Sequence, residues 1–208
     1  MIAASTASTA IAEIEIPLPE RGPSPRKVIV GYGFWLFLLS DIILFSALFA
    51  AYAVLAGRTA GGPGGVQLFH RDNVLVETGC LLMSSFTCAL MSLAIEVRRR
   101  GLMVIGAVLT LALGAAFLGL EITEFARMLA RGAGPDRSAF LSAFFALVGM
   151  HGLHVSIGLC WLVSMVAQVF TLGWRPMVVG RLACFSLFWH ALDIVWIGVF
   201  TIVYLGAR

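Results

Sequence analysis

Charge is what this chain has least of. Only 12% of its 208 residues are Asp, Glu, Lys or Arg, and 60% are hydrophobic. A water-soluble domain of this length needs a polar surface that such a composition does not supply. Cysteine is scarce too. Cys80, Cys88, Cys160 and Cys184 all fall inside apolar runs and none forms a CxxC pair, which argues against a disulfide scaffold and a structural zinc site. No nucleophile elbow, phosphate loop or dinucleotide fingerprint is present, and nothing signals nucleic-acid binding. The N-terminus has no basic stretch leading into an apolar core, so it does not read as a signal peptide. Alternating segments of the kind a membrane β-barrel needs are also missing.

What is there is continuous apolar sequence. Crossing the hydrocarbon takes about 20 apolar residues in a helix. Five runs qualify, at about 30–56, 74–96, 102–126, 140–170 and 182–205. The expected fold is therefore all-α, an integral membrane bundle of five transmembrane helices spanning residues 28–208. Residues 1–27 differ in composition, being rich in Ala, Ser, Thr and Glu and then in proline; they are expected to form a mobile cytoplasmic tail. The first connection, Gly57 to Gly65, holds too many glycines to continue a helix. The second is the tight Arg98-Arg99-Arg100-Gly101, the third runs around Arg131–Arg137, and the fourth contains Gly173-Trp174-Arg175-Pro176. If the N-terminus is cytoplasmic, eight Lys/Arg residues lie on that side and six on the other. Cytoplasmic loops carry the excess of basic residues, so the N-terminus is expected inside and the C-terminus in the periplasm.

Two short polar clusters interrupt this apolar sequence, His151-Gly-Leu-His154 and His190-Ala-Leu-Asp193. An ionisable group at membrane depth costs roughly 2.5–3.5 kcal/mol or more if charged, so each calls for a reason. Asp41 stands about eleven residues into its span, roughly 16 Å deep at the helical rise. His151, His154, His190 and Asp193 come out at about the same depth by the same rise. Glu77 starts the second span, while Glu121 and Glu124 finish the third, which suggests an outer glutamate layer apart from a central His/Asp layer. Residues three apart share a helix face, so each pair should point into the bundle or at a partner protein.

Three readings of these residues stand. The favoured one is internal packing, with neutral His and hydrogen-bonded carboxyls tying helices together. A second is a metal site; the pairs are Glu-x-x-Glu, His-x-x-His and His-x-x-Asp, not the Glu-x-x-His of a bundle di-iron centre. A third is a proton path or an ion-coupled transporter. The aromatics Phe34, Trp35, Phe37, Trp161, Trp189 and Trp196 could face either the bundle or lipid. Ser84, Ser85 and Thr87 could bond neighbouring helices or their own backbone. Small residues four apart, such as Ser46 and Ala50 or Gly152 and Ser156, permit close helix contact.

Five strings, in order across the five spans, carry a resemblance. They are Gly33-Phe-Trp-Leu-Phe-Leu-Leu-Ser-Asp41-Ile-Ile-Leu-Phe45, the Ser84-Ser85 helix, Phe117-Leu-Gly-Leu-Glu121-Ile-Thr-Glu124-Phe125, the run Phe144 to His151-Gly-Leu-His154-Val, and Phe188-Trp-His190-Ala-Leu-Asp193-Ile-Val-Trp196. The chain resembles subunit III of the haem-copper terminal oxidases along nearly all of its length after the tail. Within that family it is most similar to the quinol-oxidising, cytochrome bo-type branch, through Tyr52-Ala-Val-Leu55, Thr59-Ala-Gly-Gly-Pro63, Val74-Leu-Val-Glu-Thr78 and Gly134-Pro-Asp-Arg-Ser138. One departure is Asp41, where many members carry Glu; the shorter side chain reaches less far.

The resemblance implies a supporting role in the inner membrane of a bacterium. Subunit I of such complexes holds the haems, the copper and the oxygen chemistry. Subunit III packs beside it, in contact also with subunits II and IV, holds phospholipid in a cleft and supports sustained proton pumping; ubiquinone is expected in a partner subunit. No catalytic, cofactor-binding or metal-ligating residue is therefore assigned to this chain. Asp41, Glu77, Glu121, Glu124, His151, His154, His190 and Asp193 are expected as buried structural or lipid-cleft groups. The five central ones, Asp41, His151, His154, His190 and Asp193, are expected to hydrogen-bond between helices. The alternatives are a short cytochrome c oxidase subunit III and a stand-alone proton or ion transporter.

Overall fold

A computed structural model describes residues 26–61 and 71–206. Of the expected tail, residues 1–25 lie outside that range, as do residues 62–70 of the first connection. The described chain folds into five long helices: α1 (Arg26–Leu55), α2 (Arg71–Glu96), α3 (Arg100–Ala130), α4 (Ala139–Leu172) and α5 (Pro176–Val199). A π-helical turn, Phe200–Leu205, continues α5. All five helices are long and apolar enough to cross a membrane. No strand occurs among the described residues.

The helices overrun the apolar runs. Helix α2 begins at Arg71, α3 continues to Ala130 and α5 begins at Pro176. The added turns carry arginine and polar residues, which hydropathy excludes but which a helix accepts at headgroup depth. Local chemistry sets where they stop. Ser138 caps α4, its hydroxyl accepting from Leu141 N–H at 3.2 Å. Pro176 occupies the first turn of α5, where its missing N–H has no helical partner to lose. Helix α3 ends in a Schellman turn: Ala133 N–H reaches Met128 C=O and Gly132 N–H reaches Leu129 C=O, both at 3.0 Å. Gly132 stands at φ +69°, the left-handed conformation this turn requires.

The topology is up-and-down. Phe140 N–H donates to Arg58 C=O, so the loop after α1 meets the start of α4 at one end of the bundle. At the other end, the Arg100 guanidinium lies near Gly173. Helices α2 and α3 form the closest pair; α5 packs on α4 and α2, and α1 lies at the edge against α4 and α5. The interior is aromatic, with Phe117, Phe144, Phe185, Trp189 and Trp196 fully buried. Trp189 and Trp196 therefore face the bundle, whereas Trp35 and Phe37 are exposed on the outer surface of α1.

Candidate functional site

Helix α2 carries Thr78, Ser85 and Ser92 at seven-residue spacing, and all three meet α5. Trp196 Nε1–H donates to Thr78 Oγ1 at 3.1 Å. Ser85 Oγ lies 2.7 Å from His190 Nδ1, the hydroxyl donating or accepting according to the ring tautomer. Ser92 Oγ donates to Ser186 Oγ at 3.0 Å. Ser84 adds a bond on the neighbouring face, accepting from Trp189 Nε1–H at 3.1 Å. Thr87 and Thr110 join α2 to α3 at 2.8 Å. In lipid, helix association lacks the hydrophobic drive it has in water, so such bonds and close packing orient the helices. Sequence reasoning left Ser84, Ser85 and Thr87 undecided and missed Thr78, Ser92, Thr110 and Ser186. The seven-residue repeat of hydroxyls on α2, matched by Trp189 and Trp196 seven apart on α5, is the signal that marks this seam.

The central ionisable residues behave differently from one another. His190 makes the expected interhelical hydrogen bond, and Asp193 shares the same Ser85 partner. His154 Nδ1 bonds the Met150 carbonyl of its own helix at 2.8 Å, and its Nε2 faces Asp41 Oδ1 across α1–α4 at 3.8 Å. That distance is too long for a hydrogen bond. His151 is fully buried, with neither ring nitrogen partnered. Its ring sits among Trp196 at 5.1 Å, Phe117 at 5.7 Å and Phe45 at 6.3 Å. Asp193 Oδ1 is also without a partner. Interhelical hydrogen bonding is thus absent, among the described residues, for Asp41, His151 and His154: aromatic rings surround the His151 imidazole, His154 Nδ1 bonds its own backbone, and Asp41 comes only within 3.8 Å of His154.

The glutamates do not form a separate outer layer. Helix α3 runs past the apolar run to Ala130, which places Glu121 deeper than hydropathy implied. Its carboxyl rests against Gly152, where a Cβ would come within the reach of Glu121 Oε1, and Gly152 follows His151. Glu77, Glu121 and Glu124 are all buried. Tyr204 donates its hydroxyl to Glu124 Oε2 at 3.0 Å. Arg127, one turn on from Glu124, is partly buried. With the Asn73 amide oxygen turned toward it, Asn73 accepts from Arg127 Nη1 at 2.8 Å. Tyr204 is invisible to motif reasoning, since it reaches the site only through the π turn.

The inward polar seam, the outward apolar faces and the motif order all meet in one family comparison. The family model described as cytochrome c oxidase subunit III matches residues 24–207. The chain belongs to that family. It is thus a subunit III of a haem-copper oxidase, one component of a complex with other oxidase subunits. Its curated relatives are bacterial, which with five membrane-crossing helices places it in a bacterial inner membrane. The cytochrome bo(3) ubiquinol oxidase subunit 3 of Pseudomonas aeruginosa is 53% identical over 174 residues, covering 84% of this chain and 83% of its own length. The same subunit of Buchnera aphidicola (subspecies Baizongia pistaciae) is 41% identical, covering 83% and 89%. The quinol oxidase subunit 3 of Bacillus subtilis is 46% identical, covering 83% and 85%. As a subunit III, the molecule has its built features inside the bundle, in the α2–α5 seam and the carboxyl group around Glu121.

Proposed function

We propose that this chain is subunit III of a proton-pumping ubiquinol oxidase of the cytochrome bo type. In this reading the haems, copper and ubiquinone belong to partner subunits, and the chain supplies no redox centre. It packs chiefly beside subunit I, touches subunits II and IV, binds phospholipid and sustains proton translocation. The observation that carries the quinol assignment is the set of relatives named ubiquinol or quinol oxidase subunit 3, which match over more than four-fifths of this chain. The lipid reading is supported by a groove between α1 and α5 lined by Leu38, Ile42, Phe45, Phe188 and Leu192, with Asp41 on its wall. Such a surface suits an acyl chain, with Asp41 its sole charged group.

Purification through a tag on this chain tests the assignment. A haem-bearing large subunit with bound quinone is expected to accompany it, and the complex should oxidise ubiquinol and not ferrocytochrome c. Oxidation of ferrocytochrome c instead would move the chain to the other branch, and the absence of any haem-bearing partner would overturn the reading. Ion uptake by the chain reconstituted alone would favour a transporter.

The proposed orientation, N-terminus cytoplasmic and C-terminus periplasmic, draws on the Arg98–Arg100 turn and Arg175 at one end of the bundle. Alkaline phosphatase fused after residue 208 is expected to be active, since it folds only in the periplasm. An inactive fusion beside an active one in the α2–α3 turn would reverse the topology.

A further inference from the structure

Among the described residues, nearly all the buried side-chain polar atoms without a hydrogen-bond partner belong to three residues, on α2, α3 and α4. They are both carboxyl oxygens of Glu77, Glu121 Oε2 and both ring nitrogens of His151; Asp193 Oδ1 stands apart from them. Four helices bring these groups together. Helix α2 presents Glu77, and the adjacent Thr78 holds the indole of Trp196. That indole ring lies against His151 of α4. Phe117 meets the edge of both rings, one turn before Glu121 on the same face of α3. Glu121 in turn touches Gly152, next to His151. The π turn after α5 completes the group. Its wider winding, with Gly206 N–H reaching back to Thr201 C=O, turns Tyr204 inward onto Glu124. Single π turns in otherwise regular helices occur mostly at functional sites.

Charge bookkeeping limits what such a group can be. Among the described residues, the three carboxyls face one cation, Arg127, at the end of the cluster toward the helix terminus. From α1 the cluster meets only the apolar ring of Phe45, because Asp41 is turned to His154. Like charges that share a low-dielectric site cannot all ionise together, and polar atoms buried without partners are commonly bridged by ordered water. We propose that Glu77, Glu121, Glu124, Tyr204 and His151 form an internal proton-binding site, in which water bridges the carboxyls to the imidazole and a proton is shared among them. Exchange with the outside runs along the half-buried Arg127 and Asn73 at the mouth. The site stands whether the electron donor of the complex is a quinol or a cytochrome.

Infrared spectroscopy of the whole purified complex tests this. The wild-type minus Glu121→Gln difference is expected to show the carbonyl band of a protonated carboxyl, and that band should shift down within minutes of transfer to D2O. A band that fails to exchange over hours, or no band at all, overturns the proposal. Tyr204→Phe keeps every carboxyl and guards against a Glu121 variant that does not assemble. It is expected to shift the same band through the lost bond to Glu124, and an unmoved spectrum overturns the proposal equally.

Discussion

Gly106→Leu drives α2 and α3 apart and lowers the temperature at which this chain is lost from its complex. A Cβ at Gly106 would stand 2.9 Å from the Met91 Cβ, 3.1 Å from its Cα and 3.2 Å from its backbone nitrogen. Those atoms cannot swing aside as the end of a long side chain would, so the whole helix must move. The displacement also reaches Thr110, one turn away, which bonds Thr87 across the same interface. Overpacking of this kind costs about 1–3 kcal/mol and sometimes more. Gly106→Ala should give a smaller loss in the same direction, because even the first carbon is too close. The melting temperature of the purified complex, followed by retention of this subunit, measures it. Unchanged retention for Gly106→Leu would show that α2 and α3 are not held at this distance.

Trp189→Ala is expected to have the larger effect on the bundle as a whole. The indole extends from α5 into the space shared by α2, α3 and α4. Its Nε1–H bonds Ser84 of α2, and its ring lies where Gly114 of α3 and Gly158 of α4 have no side chain. Either glycine, given a Cβ, would bring it within 3.0 Å of the ring. Removing the indole leaves a cavity that three helices line and none can fill. Trp→Ala costs about 3–5 kcal/mol in water-soluble cores. Because lipid is as apolar as the core, the transfer share falls away and the packing share remains, so roughly 2–3 kcal/mol is expected here. Trp189→Phe should recover part of it, lacking the bond to Ser84 at about 0.5–1.5 kcal/mol and part of the ring that lies between Gly114 and Gly158. Equal stability of the alanine and phenylalanine variants would mean that the cavity collapses and that the ring is not the wedge.

Helix count and order were legible because they depend on length and composition alone. Five apolar runs can be read without knowing what any residue touches. The inward face of each helix was not legible, and α5 shows why: Trp189 and Trp196 point inward while Ile194 and Ile197 point outward. Core and lipid are both apolar, so the amphipathic periodicity that marks a helix face in water is erased. The exception is α2, whose hydroxyls at 78, 85 and 92 do mark a face. His151 shows the reverse failure. Its depth and its spacing from His154 suggested polar glue, yet three aromatic rings leave its nitrogens no protein partner.

The sequence by itself determined that this chain is a five-helix membrane bundle of the subunit III family, since hydropathy and motif order are properties of the linear string. Only the tertiary structure decided that Glu121 rests against Gly152 of α4, that Tyr204 reaches Glu124, and that a few glycines admit Met91 and Trp189. Those contacts join residues 15 to 80 positions apart. They follow from how closely particular helices approach and from one π turn of extra winding, and neither is written in the spacing of any single helix.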